Sequence, residues 1–540
     1  GVHSNMRRAM TFFLVLLLLL CTPAFAAAEP ATGDFADIQG HWAEGEIRTA
    51  CNLGLMSGVG ITAQGFKMFK PEAAVSRAEL VSVLERAFQL DYGNIRFIKA
   101  PVAGDYYQDV EDKAWYSGAL VLCAVNGIID NDVDFKPGEP VSRIEVARTI
   151  CRSFTAKNII VPMTKMMPIY ADTGSLTDED RNAVIFVSNT GIMKGDGGNF
   201  RPGEPVKRAE LARVLNRCAQ LIALNQNSNG QEYTVPVGQT FILFLNSNPS
   251  TGYQWNKDSW DEEVVSLTSR NFEAGGNKAL VGQEGKEGFV FKALKTGSTE
   301  IKLYYARAWE SVQPAETYNL KVKVVAPQSE SAEVQMNLKS VKSKNDLVDV
   351  ELNIPQIEGL KNKQVQSAIN RQFMEDANVL KDDLEAEADE AKKDSEQSRY
   401  TFQPYGIWSI CEKYCKNGDI LSLYVDYYTY TGGAHGSTER RAYNYDLQTG
   451  ERLELKDLFK MGYDYKAALN EQVKARIAAR PENYFDGDMG FQGINESNFY
   501  LENNILMLYF DEYEIAPYAV GIPQFKLPLN LFGNNLKDEY

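Results

Sequence analysis

The sequence predicts three unlike domains in series: all-α repeats, an all-β sandwich and a mixed α+β domain. Three observations carry this. A segment beginning F-K-P or F-R-P recurs at Phe69, Phe135 and Phe200. From about residue 231 the chain turns to short β-branched and aromatic runs with period-two alternation. From about residue 335, strand-like runs mix with a stretch of helical spacing. The 540 residues suit several domains, at roughly 100–200 residues each. A hydrophobic content of 44% is ample for their cores. The net charge of −16 argues against a nucleic-acid binder, which normally shows a basic face.

The N-terminus reads as an export signal. Met6-Arg7-Arg8 is basic, Phe12 to Leu20 is continuously apolar, and Ala24-Phe25-Ala26 fits an A-x-A cleavage site. The apolar run is too short for a comfortable membrane span. Gly1 to Asn5 resembles the end of an immunoglobulin leader and reads as an expression scar. Residues 1–28 are therefore read as the scar and a signal peptide, and no later segment is long and apolar enough to span a bilayer. Of seven cysteines, Cys21 lies in the signal. Cys51, Cys123, Cys151 and Cys218 fall in helix-like apolar patterns and read as buried thiols. The spacing of Cys411 and Cys415 leaves a local disulfide open, and no neighbouring Cys/His pair supports zinc.

In the repeats, V-S-R-A-E at Val75 to Glu79 reads as a capping box. Ser76 caps a helix and Glu79 reaches back, as Ser142 and Glu145 do again. Pro71 and Pro137 restrict the chain before each helix. Arg77 and Arg143 then fall in the first helical turn, where a cation opposes the helix dipole. The arginine either meets an anion, helped by nearby backbone N–H groups, or pairs with a local Glu. Upstream of each motif, amphipathic stretches end in the turns "GLMSG", "GIIDN" and "GIMKG".

These units resemble S-layer homology (SLH) domains, whose hallmark is F-x-P…T-R-A-E, over residues 34–92, 105–157 and 168–222. The resemblance implies a three-fold helical pseudo-trimer. It also implies binding of secondary cell-wall polysaccharide, often through pyruvate ketals, by the motif arginines Arg77, Arg143 and Arg208. Asp37, Asp109 and Asp172 near the repeat starts, with Trp42 and Trp115, complete the polymer-binding candidates. The third repeat departs from the pattern: Lys207 replaces the cap Ser, and no Trp follows Asp172. His41, beside Trp42, reads as structural.

A polar linker around Asn225 to Glu232 leads into "YTVPVGQTFILFLNS", "GFVFKAL", "GSTEIKLYYARAW" and "TYNLKVKVV", the alternation of a sandwich. Three loops stand out: Asn248-Pro249-Ser250-Thr251-Gly252-Tyr253, the Gly-rich Gly282 to Gly288, and Arg307-Ala308-Trp309. Tyr, Trp and Arg are the side chains most enriched at binding hot spots, and Gly lets a partner approach the backbone. Residues 231–326 resemble the chagasin-type inhibitors of papain-like cysteine proteases, which carry N-P-T-T-G-Y, a Gly-rich loop and R-P-W in this order. That implies an immunoglobulin-like sandwich whose loops, here including Gly282 and Gly285, wedge into a protease cleft. Ala308 replaces the family's stiff proline, which would weaken preorganisation. The domain has neither His nor Cys, so an enzyme is not expected here.

Residues 326–344 read as a second linker or edge segment, and "VDVELNIPQI" as a strand. Val365, Ile369, Phe373, Leu380 and Leu384 recur at helical spacing, and the charged run after them reads as a solvated face. Segments "YTGGAHG…YDLQTG" and "YFDEYEIAPYAVG" resemble the extracytoplasmic domains of lysozyme-sensing anti-sigma factors, also found beside some wall polysaccharide deacetylases. The likeness covers about 335–535 of an α+β domain at 335–540. It implies a lysozyme-like ligand, and no deacetylase domain is recognisable. His435 in "GGAHG" reads as turn-stabilising. The whole reads as a secreted, non-enzymatic protein of the cell wall or S-layer surface, of Gram-positive type, without cofactor or metal. The alternative is a structural, adhesive or ligand-sensing envelope protein without inhibitory activity.

Overall fold

The computed structural model describes residues 35–130, 134–159, 161, 163, 170–274, 285–325, 334–398 and 400–537. The expected signal segment and Gly282 lie outside them. The N-terminal region is helical: α1 (Glu44–Asn52), α2 (Arg77–Phe88), α3 (Ser117–Val125), α4 (Arg143–Ala156), α5 (Asp178–Asn189) and α6 (Arg208–Ile222). Short strands β1 (Gly60–Ile61), β2 (Lys67–Met68) and β3 (Ile95–Phe97) accompany them. The capping boxes form as the sequence dictates. Ser76 Oγ accepts from the Glu79 N–H at 3.3 Å while Glu79 accepts from the Ser76 N–H at 2.9 Å, and Ser142 with Glu145 repeats this.

The three repeats close on one another through the backbone. The Val75 N–H donates to Val206, Val206 to Val141, and Val141 to Val75, at 2.9–3.0 Å. The first two N–H groups of each long helix donate to the preceding loop of another repeat. Arg77 and Ala78 reach Glu139 and Pro137, Arg143 and Ile144 reach Glu204 and Pro202, and Arg208 and Ala209 reach Ala73 and Pro71. This corrects one expectation. Donors at a helix start lack intrahelical partners, but here they bind neighbouring carbonyls and are not open to an anion.

The sandwich follows as two sheets around one core. Strands β4 (Glu232–Pro236), β6 (Tyr253–Ser259), β9 (Gly297–Arg307) and β10 (Glu316–Val325) form one sheet, in the order β4-β10-β9-β6. Strands β5 (Thr240–Ser247), β7 (Val265–Ala274) and β8 (Gly285–Ala293) form the other, in the order β5-β8-β7. The period of two is visible along β10, where Tyr318, Leu320, Val322 and Val324 are buried while Lys321 and Lys323 are exposed. Trp255, Leu243, Phe291 and Ile301 fill the space between the sheets.

The C-terminal region is α+β. Strands β11 (Gln335–Lys344), β12 (Val348–Glu358), β13 (Tyr405–Ile410), β14 (Lys413–Asn417), β15 (Ile420–Tyr430) and β16 (Ser437–Asp446) build one sheet, covered by α7 (Lys363–Gln397). Residues 335–344 are thus an edge strand. The charged run continues α7, because Leu384 and Ala388 carry the buried stripe onward. A smaller sheet of β17 (Phe499–Glu502), β18 (Ile505–Tyr509) and β19 (Gln524–Pro528) shares a core with α8 (Tyr465–Ala479). Cys411 and Cys415 are free, buried thiols, and burial pushes both up to about 12.

Both later domains dock on the repeats. Strand β3, from between repeats 1 and 2, pairs antiparallel with β14 of the C-terminal sheet. Behind it Lys413 and Glu502 form a buried ion pair. The side-chain amide of Gln89 both donates to the Thr240 carbonyl and accepts its N–H, clamping the start of β5 to the end of α2.

Candidate functional site

The aspartates of the repeats act as clasps. Asp37 accepts from the N–H groups of Phe69 and Lys70 at 2.9 and 2.7 Å. Asp109 does the same with Phe135 and Lys136, and Asp172 with Phe200 and Arg201. Lys70, Lys136 and Arg201 have φ near +57°, a left-handed conformation uncommon for side-chain-bearing residues. The carboxylates stabilise that turn.

The motif arginines reach between repeats. Arg143 is buried, and donates to the carbonyls of Phe200 at 2.8 Å and Lys194 at 2.9 Å while lying over the Phe200 ring. Arg208 is buried likewise, bonding Phe69 and Ser57 carbonyls and Glu79 over the Phe69 ring. Arg77 differs. It is half-buried, pairs with Glu145 of repeat 2 at 2.8 Å, and lines a cavity of about 60 Å³ between repeats 1 and 2. Burial pushes Glu145 up, but hydrogen bonds from Ser142 and Arg77 outweigh it and hold the carboxyl below its usual range. Arg148 and Arg152 line the same cavity, bridged by Asp130 at 2.9 Å to each. Burial opposes charge on Asp130, yet Arg152 and Arg148 bring its pKa down to about 2. Trp42 is half-exposed over Arg213, and Trp115 is 70% exposed against the edge of Tyr116. His41 pairs with Glu72.

In the sandwich, strand pairing gathers the loops at one end. Ser247, the last residue of β5, pairs with Gly285, the first of β8, so the first loop adjoins the start of β8, and Gly285 to Gly288 of the expected Gly-rich loop belong to that strand. Tyr253 at the start of β6 pairs with Arg307 at the end of β9, bringing in the third loop. Pro249 to Thr251 form a 3-10 turn, and the Asn248 N–H donates to the Tyr305 hydroxyl at 2.7 Å. Arg307 donates to the Thr251 carbonyl at 2.9 Å and lies 4.4 Å over the Tyr253 ring. Gly252, at φ +82°, leaves room for Trp309: a Cβ there would sit 2.1 Å from the indole. Trp309 is itself 70% exposed. Underneath, Arg270 and the Trp255 N–H hold buried Glu287.

Residue-by-residue reading missed three features. Glu310 pairs with Arg307 at 2.7 Å, and its place three residues after Arg307 was a visible signal. Asp130, Arg148 and Arg152 have no motif to mark them. At the C-terminal domain, His435 stacks 4.0 Å from Tyr518, which stacks on half-exposed Tyr513. The glycines around His435 gave half of that signal.

The family model "Chagasin family peptidase inhibitor I42" matches residues 234–323. "S-layer homology domain" matches 34–81 and 170–212. "Deacetylase PdaC" matches 341–438, and "Protein of unknown function (DUF3298)" matches 456–530. Amoebiasin-1 of Entamoeba histolytica is 30% identical over 103 residues, 19% of this chain and 99% of that protein. Anti-sigma-V factor RsiV of Bacillus subtilis is 24% identical, covering 37% of this chain and 69% of RsiV. A solved structure, the cysteine protease inhibitor EhICP2 from Entamoeba histolytica, is 28% identical with a TM-score of 0.18, covering 19% of this chain and 94% of that one. The chain spans only 9% of an amylopullulanase from Thermoanaerobacterium thermosulfurigenes and 28% of an S-layer protein from Bacillus licheniformis. Among the described residues no helix is long and apolar enough to cross a membrane. With S-layer homology segments and S-layer relatives the chain is a secreted cell-surface protein, and through residues 234–323 it belongs to the chagasin family of peptidase inhibitors, I42.

Proposed function

We propose that this protein is held on secondary cell-wall polysaccharide by its S-layer homology repeats and displays a wedge that blocks papain-like cysteine proteases. The observation that carries the inhibitor reading is the convergence of the first and third loops at one sandwich end, with Arg307 over the Tyr253 ring and Trp309 seated on Gly252. An exposed indole beside a glycine turn suits a narrow cleft. The sandwich is read as immunoglobulin-like, and the cyclic backbone bonds support reading the repeats as a three-fold pseudo-trimer. Incubating papain with the full chain tests the inhibitor reading: slowed peptide hydrolysis at micromolar protein is expected, and unaffected hydrolysis would sink it.

For the anchor, the reading centres on the cavity between repeats 1 and 2. Arg77, Arg148 and Arg152 line this space together with the carboxylates of Asp130, Asp134 and Glu145, so a ligand carboxylate such as a pyruvate ketal would have to compete with those partners for the guanidinium groups. Arg143 and Arg208 are read as ring-closing residues, because each is buried with two carbonyls and an aromatic face on its guanidinium, whereas Arg77 meets one carbonyl, that of Phe135, and is half-buried. The C-terminal domain is read as a ligand-binding module. Its likeness to the anti-sigma relative favours a lysozyme-like protein, and the Tyr513–Tyr518–His435 ledge is the surface suited to one. Co-purification of lysozyme with the full chain tests this, and loss of capture on Tyr518→Ala is the expected result. The reading is non-enzymatic, favoured by the S-layer homology and chagasin-type matches, while the match to "Deacetylase PdaC" over 341–438 points the other way.

A further inference from the structure

We propose that Glu310 is a positioning residue that holds the third sandwich loop in its binding shape, in place of the missing proline. This rests on the reading of that loop as protease-facing. Arg307 to Glu310 form a β-turn, with Ala308 and Trp309 at its centre and the Glu310 N–H donating to the Arg307 carbonyl at 3.3 Å. Ala308 is therefore at the second position of the turn. Proline is favoured there because its ring fixes φ near the value the turn needs. Alanine leaves that angle free in the unbound loop. The two ends of the same turn are instead joined by side chains, Arg307 Nη1 donating to Glu310 Oε1 at 2.7 Å. Glu310 thereby orients the guanidinium that donates to the Thr251 carbonyl and covers the Tyr253 ring. One carboxylate thus fixes the turn that carries Trp309 and ties it to the first loop. Order present before binding does not have to be gained on binding, and it shows chiefly in the dissociation rate.

The test uses the full chain with four variants, Glu310→Ala, Glu310→Gln, Ala308→Pro and the double variant Glu310→Ala/Ala308→Pro. Two quantities are read: the dissociation rate from papain, and hydrogen–deuterium exchange of the segment 304–312 in the free protein. Glu310→Ala is expected to speed dissociation ~3- to 10-fold, the scale of a lost preorganising contact, and to speed exchange. Ala308→Pro in the same chain is expected to restore both, while on the native background it adds little. Glu310→Gln keeps the length but not the charge and is expected to fall between. Unchanged dissociation and exchange in Glu310→Ala, or failure of proline to restore them, overturns the proposal. If the native chain does not bind papain, the protease reading fails and exchange alone decides. Faster exchange restored by proline then supports the positioning role, and unchanged exchange overturns it.

Discussion

Replacing Arg143 and Arg77 by Ala in turn separates ring closure from ligand binding. Arg143 makes two charge-assisted hydrogen bonds to carbonyls of repeat 3, at 2.8 and 2.9 Å, and is 7% exposed. Each such bond is worth ~1.5–3 kcal/mol. Against this, Arg143→Ala relieves the cost of burying a guanidinium, which also holds the arginine below its ordinary pKa. The balance is a loss of about 3 kcal/mol, because two carbonyls lose a charged donor. With a urea slope of ~2 kcal/mol/M, the midpoint should fall by ~1.5 M. Arg77 keeps 29% side-chain exposure; it donates to Glu145 Oε1 and, at 3.3 Å, to the Phe135 carbonyl, while Ser142 continues to hold Glu145 Oε2 and the partly exposed Oε1 is open to water. Arg77→Ala should therefore cost under about 1 kcal/mol, and the midpoint should move by less than ~0.5 M. Urea unfolding of the helical circular dichroism signal reads the first effect. Co-sedimentation with purified cell walls reads the second, where Arg77→Ala should lose binding with its fold intact. Equal destabilisation by the two variants, or native wall binding by Arg77→Ala, would refute the division of roles.

Gly252→Ala places a methyl 2.1 Å from the Trp309 ring on a backbone at φ +82°, so the indole must leave its seat; the strain is ~1–2 kcal/mol and papain inhibition should fall at least ~10-fold with the sandwich still folded, while native inhibition would show that Trp309 does not act from that seat. Lys413→Ala takes the ion-pair partner from buried Glu502 and leaves Lys526 as its neighbouring cation, so the loss should stay below the ~3–5 kcal/mol of a buried charge with no partner; faster proteolytic cleavage within 92–102 is expected, and an unchanged digest would mean that β3 holds the C-terminal sheet without the ion pair. Asp130 has a folded pKa of about 2, below its ordinary 3.8. Its contribution of ~2 kcal/mol is therefore full above the unfolded value and lost as pH falls through the folded one. Native urea midpoints should drop between pH 4 and pH 2 more steeply than those of Asp130→Asn, and parallel curves would remove Asp130 from the account.

The repeats were legible because their signals are local. F-x-P, the Ser cap and the Glu three residues later lie within eleven positions, and the capping boxes formed as read. The role of the arginines was not local. Arg208 bonds carbonyls 139 and 151 residues away, and no spacing rule announces such a partner. Strand β3 was invisible for a related reason. Three residues carry no periodicity, and their pairing partner lies more than 300 positions downstream. In the sandwich, alternation revealed the strands and the loop motifs their end. Glu310 lies one position beyond the R-A-W motif and belongs to no motif, although an acid at the fourth position of a turn that begins with Arg is a short-range signal.

Anchoring and display are compatible because they use opposite ends of one strand. Thr240 opens β5 and is clamped by Gln89 of the repeats, and Phe244 and Val290 turn the outer face of that sheet onto the helical core. Ser247 closes β5 where the loops converge. Seven steps of extended chain separate the two residues, about 23 Å at ~3.3 Å per residue. A partner that takes Trp309 and Tyr253 therefore approaches the end of β5 far from the Gln89 clamp. It need not disturb Gln89, nor the Arg77 cavity that repeats 1 and 2 form between them. Display on a wall requires this arrangement: had the loops closed the other end of β5, docking would have buried the surface that the chagasin-type motifs supply.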